Sequence, residues 1–127
     1  MKFEHVALTI NDPLEVDRFY EEILGLRKER EFNLEANLAG TIFGIHQRTS
    51  VYQLRNEGLM MELFLTPSST ETGFRHICLS FENREEILRK VQEKGYECIR
   101  QERTHSDLVF IKDNSGNLFE IKEERKS

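Results

Sequence analysis

The sequence predicts an α+β fold made of two βαβββ modules within a single domain of 127 residues. Three observations carry this reading. The chain repeats itself: His5-Val6-Ala7-Leu8-Thr9-Ile10 matches His76-Ile77-Cys78-Leu79-Ser80-Phe81 position by position as His, β-branched, small, Leu, hydroxyl and large apolar. The spacing repeats too, since Gly25 falls 20 residues after His5 and Gly95 falls 19 after His76. The ends of the halves agree, Gly58 and Gly116 each preceding a strand glutamate, Glu62 and Glu120, by four residues.

Both opening segments alternate apolar and polar residues, as a strand with one buried face does. A helix is expected after the first, capped near Asn11-Asp12-Pro13 and ended by Gly25, with Leu14, Val16, Phe19, Tyr20, Ile23 and Leu24 as its apolar positions. The second helix is expected over 83–94, capped by Asn83, with Ile87, Leu88 and Val91 on one face and Gly95 as its stop. Strands follow over about 26–32, 49–55 and the segment after Gly58 in the first half, and over 96–103, 107–112 and the segment after Gly116 in the second. The turns Asn56-Glu57-Gly58 and Asp113-Asn114-Ser115-Gly116 have strong turn chemistry. The modules are therefore placed at 2–65 and 74–123, joined by a linker over 66–73, with a charged tail from Glu123.

Residues 34–45 have no counterpart in the second half. Leu34, Leu38, Ile42 and Ile45 are spaced as the face of a short helix, weakened by Gly40. Two readings stand side by side, an insertion packed over an edge strand and a lid on a pocket.

Composition excludes several classes. Lys and Arg number 18 against 23 Asp and Glu, a net charge of −5, which argues against nucleic acid or an anionic membrane as partner. No apolar run approaches the ~18–20 residues of a membrane helix, and the first residues carry no apolar targeting core, so a cytoplasmic protein is expected. Nine Phe and three Tyr are too many for a disordered chain. A chain of this length builds a core without a metal or disulfide. Cys78 and Cys98 fit no metal-ligand spacing and are expected to be small buried hydrophobes. His46 and His105 lack repeat partners and are read as loop or surface residues. Arg48, Arg55, Arg75 and Lys112 are read as solvated strand charges, the alternative being the mouth of an anion-attracting site.

Residues two apart in a strand share a face. His5 lies opposite Val6, Leu8 and Ile10; His76 lies opposite Ile77, Leu79 and Phe81; Glu62 and Glu120 lie opposite Met61, Leu63, Phe119 and Ile121. All four polar residues thus project away from the helices, and a two-fold relation between the halves would make them converge. Two imidazoles and two carboxylates form a donor set for one divalent cation, Zn, Ni, Co, Mn or Fe. Glutamate is disfavoured in strands, so two at the same repeat position need a reason.

These residues resemble the vicinal oxygen chelate superfamily, which includes glyoxalase I, methylmalonyl-CoA epimerase, extradiol dioxygenases, fosfomycin-resistance thiol transferases and bleomycin-binding proteins. The resemblance rests on His5-Val6-Ala7-Leu8, on Phe19-Tyr20 with Leu24-Gly25-Leu26, and on Asp113 through Glu120, and it spans residues 2–123. It implies paired modules forming a cup-shaped mixed sheet around one metal, with helices outside. The order His5, Glu62, His76, Glu120 is similar to the ligand order of bacterial glyoxalase I. That implies a lyase or isomerase moving a proton next to a carbonyl through a metal-bound enediolate, with Glu62 and Glu120 as catalytic carboxylates. Glutathione-using relatives carry Arg and Asn where this chain has Thr9 and Thr66, so the usual glutathione contacts are not expected. The alternatives are an epimerase acting on a CoA ester, an iron-dependent dioxygenase or thiol transferase, and a small-molecule binding module. The resemblance also implies a small-molecule substrate and a homodimer, and the linker permits modules that close within one chain or exchange between two.

Overall fold

The computed structural model describes residues 4–67 and 76–124, so most of the expected linker and Arg75 lie outside the described residues. The chain divides into two compact units, Met1–Thr70 and Glu71–Ser127. Each is a βαβββ-type module with its own four-stranded mixed sheet.

In the first unit the strands are β1 (Val6–Ile10), β2 (Arg27–Leu34), β3 (Thr49–Asn56) and β4 (Leu59–Leu65), in the spatial order β1-β4-β3-β2. β1 runs parallel to β4, and the other pairs are antiparallel. The parallel pairing needs a crossover, and the helical segment after β1 begins it. Asp12 opens that segment, its Oδ1 accepting from Leu14 N at 2.9 Å. Gly25, at φ +79°, closes it, its N–H donating to Glu21 O.

The crossover helix differs from expectation in its winding. Val16–Glu21 is a π-helix, with Glu22 N on Asp17 O and Leu24 N on Phe19 O, five residues back. Val16, Phe19, Tyr20, Ile23 and Leu24 still recur at the expected spacing and are all buried, Phe19 meeting Tyr20 edge to face at 5.1 Å. Leu14 does not join them and is 59% exposed. It lies two positions before Val16, about 200° around a helix. The inward position of that turn belongs to Glu15, which is 1% exposed.

The insertion forms α1 (Ala36–Phe43), ended by Gly44 in the left-handed conformation. Its expected stripe is not buried: Leu38 and Ile42 are exposed, Ala39 is the buried residue of the helix, and Phe43, itself 48% exposed, meets Phe64 edge to face at 4.8 Å between centroids. Gly40 has a steric reason to be there, since a Cβ would lie 3.0 Å from His46 Nδ1.

The second unit comprises β5 (His76–Phe81), α2 (Arg84–Glu93), β6 (Glu97–Gln101), β7 (Leu108–Lys112) and β8 (Leu118–Glu123). Its sheet order, β5-β8-β7-β6, repeats that of the first, again with the opening strand parallel to the last. Asn83 caps α2, its side chain accepting from Glu86 N at 3.3 Å. Ile87, Leu88 and Val91 are buried, as are Val109, Ile111, Phe119 and Ile121. Burying each such side chain contributes about 1.5–3 kcal/mol. The strands farthest from β1 and β5 in each order, β2 and β6, are highly charged or exposed along their length, which discourages edge pairing.

The cysteines correct the sequence reading. Cys78 and Cys98 are both exposed. Cys78 follows the polar phase of β5, and Cys98 lies on a strand whose residues are all exposed. His46 and His105 are exposed outside the regular elements, as expected. Arg55 and Lys112 pair with Glu29 and Glu97 at 3.3 and 3.6 Å, as solvated strand charges do, and Arg48, just before β3, pairs with Glu35 at 3.4 Å.

The β7–β8 hairpin hangs on Asp113, which is 4% exposed. Its carboxylate accepts from Ser115 N, Asn117 N and Asn117 Nδ2 at 3.0, 2.8 and 2.9 Å. Asp113→Ala leaves those donors unmatched and should cost about 2–4 kcal/mol in urea unfolding. A cost below about 0.5 kcal/mol, the level of an ordinary surface change, would show the turn to be held otherwise.

Candidate metal centre

In the first unit His5 stands just before β1 and Glu62 lies mid-β4. The parallel register sets Ala7 beside Glu62 and Val6 beside Met61, so His5, Ala7 and Glu62 share one face. Met61 and Leu63 flank Glu62 on the other face and are fully buried. His5 Nε2 lies 3.2 Å from Glu62 Oε1, with the imidazole 43% and the carboxylate 13% exposed.

The second unit reproduces this arrangement. His76 opens β5, Glu120 lies mid-β8, and Phe119 and Ile121 are buried on the opposite face. His76 Nε2 lies 3.5 Å from Glu120 Oε1, with exposures of 44% and 16%. Each pair is therefore an open imidazole edge beside a mostly shielded carboxylate.

Two donors on one cation at about 2.1 Å, 90–109° apart, are separated by about 3.0–3.4 Å. The observed separations are 3.2 and 3.5 Å. The donor chemistry, neutral nitrogen with anionic oxygen, suits the same borderline divalent ions. The first pair thus fits two adjacent ligand positions, and the second lies about 0.1 Å beyond that range. Among the described residues no cluster of three or more His, Cys, Asp and Glu side chains is present; each unit supplies a pair.

Two neighbours escaped the sequence reading. Gln53 on β3 is in register with Glu62, and its Nε2 donates to Glu62 Oε2 at 2.6 Å. The equivalent position in the second unit, in register with Glu120, is Phe110, whose ring meets that of His76 at 5.5 Å and 80°. The signal for both was the hairpin: once Asn56 pairs with Leu59 across the Glu57-Gly58 turn, register places Gln53 opposite Glu62.

Cys78 lies beside Glu120 in the β5–β8 register. Partial desolvation, and then the charge of Glu120, raise its thiol pKa, which disfavours the nucleophilic thiolate. Lys122 Nζ lies 3.8 Å from Glu120 Oε2 and is largely exposed, a weak attraction. Thr66 is buried, its N–H donating to Ile10 O at 2.8 Å, so it fastens the end of β4 to β1.

α1 bears on the same face as Glu62. Phe64, two residues beyond Glu62 on β4, takes the ring of Phe43. The insertion therefore has one ring contact on the Glu62 face, beyond the carboxylate.

Comparison with known proteins adds family and fold. The profile described as Glyoxalase/Bleomycin resistance protein/Dioxygenase superfamily matches residues 2–121. No curated protein matches the chain. Among solved structures, a glyoxalase family protein from Bacillus cereus is similar at 20% identity, covering 99% of this chain and 95% of that one, with a TM-score of 0.75. The genomically encoded fosfomycin resistance protein FosX from Listeria monocytogenes is similar at 15% identity, covering 98% and 94%, with a TM-score of 0.73. A mutant FosX complexed with Mn(II) and 1S,2S-dihydroxypropylphosphonic acid is similar at 17% identity, covering 97% and 92%, with a TM-score of 0.72. No helix among the described residues is long and apolar enough to cross a membrane.

Proposed function

Since the chain belongs to the glyoxalase/bleomycin resistance protein/dioxygenase superfamily, we propose that it is a metal-dependent lyase or isomerase of glyoxalase I type, moving a proton between the two carbons of a small carbonyl substrate. The observation that carries the reading is the duplicated pair, His5 with Glu62 and His76 with Glu120, at like spacing on like strands. In this proposal the four residues are ligands of one divalent cation. FosX binds Mn(II), which makes that ion a suitable probe.

A bound divalent cation would polarise the substrate carbonyl and stabilise negative charge on its oxygen. The chain's own residues do the rest. A carboxylate, Glu62 or Glu120, accepts the proton from the carbon next to the carbonyl and returns it to the neighbouring carbon. The electron pair left by that proton moves toward the carbonyl, so the substrate is isomerised without an oxidant or reductant. Neither carboxylate is sealed from water, at 13% and 16% exposed, so a held proton exchanges with solvent before it is returned. Thr66 is engaged with the β1 backbone and Thr9 carries no charge, so recognition of the glutathione carboxylates by the usual residues is not part of this proposal. A homodimer and a small-molecule substrate are part of it.

The test has two arms. The protein is titrated with Mn(II), expected to bind one ion per chain. It is then incubated in D₂O with hemithioacetals formed from an α-ketoaldehyde and thiols of different size. Deuterium entering the product carbon, dependent on the metal, supports the proposal. No stoichiometric Mn(II), Ni(II) or Zn(II) uptake overturns it. Oxygen consumption by the Fe(II)-loaded protein would instead favour a dioxygenase.

A further inference from the structure

The two His–Glu pairs match each other, but their supports do not. Gln53 and Glu62 lie directly across β3 and β4, and the amide donates to Glu62 Oε2 at 2.6 Å. An ionised carboxylate only accepts, so the nitrogen end of the amide must face it. The other oxygen, Oε1, faces His5 Nε2 at 3.2 Å. The two oxygens of Glu62 are thus divided between an amide and an imidazole. The carboxylate is only 13% exposed, so water competes poorly for the amide bond.

Glu120 has Phe110 in the corresponding place. A phenyl ring lies against His76 and has no donor to aim at a carboxylate. One pair is therefore fixed by a hydrogen bond and the other is walled by an aromatic ring.

We infer that Gln53 is a positioning residue that fixes Glu62 as a one-oxygen ligand, holding Oε2 back and presenting Oε1 beside His5 Nε2. The inference rests on the metal reading above. Gln53 touches neither substrate nor cation in this assignment; it acts through Glu62. Losing it frees the carboxylate to rotate and to present both oxygens. Groups that hold metal ligands in place typically change affinity by about 10–100-fold when removed.

The test uses Gln53→Met, which keeps length and shape without the donor, and Gln53→Ala, which also removes the packing. Each is titrated with Mn(II), following the free ion by electron paramagnetic resonance, and the spectrum of the bound ion is recorded. The melting temperature of each metal-free protein serves as the structural control. The inference expects at least about tenfold weaker Mn(II) binding in both variants, an altered bound-ion spectrum, and a metal-free melting temperature close to wild type for Gln53→Met. Equal affinity and identical spectra in wild type and both variants would overturn the role of Gln53 while leaving the metal reading intact. Failure of the wild type to take up Mn(II) would overturn the metal reading, and this inference with it.

Discussion

Glu120→Gln is expected to lower turnover by more than about a hundredfold, the usual cost of losing a general base. The substitution keeps an oxygen that can face a cation and keeps the side-chain volume on the β8 face opposite the buried Phe119 and Ile121. It removes only the ability to take a proton. Glu62→Gln is expected to fail as well, and it adds a second defect, since two amides then meet where Gln53 now donates to a carboxylate. The assay is deuterium entry at the product carbon under saturating Mn(II), with bound metal measured in the same sample. Loss of turnover with metal retained marks a proton acceptor. Near-normal turnover in both metal-loaded variants would reduce these carboxylates to ligands and end the proton-transfer reading.

The module order was legible because the chain is duplicated, and duplication converts weak local signals into strong paired ones. A lone histidine at the head of a strand says little; His5 and His76 at the head of matching strands say much. Alternation in β4 and β8 placed Glu62 and Glu120 on the face opposite the core, and the burial of Met61, Leu63, Phe119 and Ile121 agrees. What escaped was whatever depends on neighbours across the sheet. Gln53 looks like any polar strand residue until the Glu57-Gly58 turn sets it against Glu62. The winding of the first helix escaped for a different reason. The buried residues Val16, Phe19, Tyr20, Ile23 and Leu24 are spaced as in an α-helix, so their periodicity carries no sign of the π-winding. The cysteines were misplaced because small apolar residues are compatible with either strand face. Phase decides for Cys78, which follows His76. In α1 the apolar spacing chose Leu38 and Ile42, whereas the fold buries the smaller Ala39 and leaves Phe43 with an edge contact to Phe64.

The second large effect concerns the imidazoles. His5→Ala and His76→Ala should each weaken Mn(II) binding by more than the ~10–100-fold expected for a residue that only supports a ligand, because each removes a donor itself. Neither should unfold the protein. The two imidazoles are 43% and 44% exposed, so truncation leaves no sizeable cavity, and the change in stability should stay near the ±0.5 kcal/mol of surface substitutions. Removing His76 also takes away the ring contact with Phe110, which adds at most about 0.5–1.5 kcal/mol. Circular dichroism and urea unfolding check the fold, and Mn(II) titration checks the site. The comparison between the two variants is the sharper measurement. If one ion is held by both pairs, the two losses are of similar size and the double variant retains no stoichiometric metal. If His5→Ala abolishes binding while His76→Ala leaves it intact, the ion belongs to the first unit alone, and the second pair is an internal hydrogen bond between an imidazole and a carboxylate.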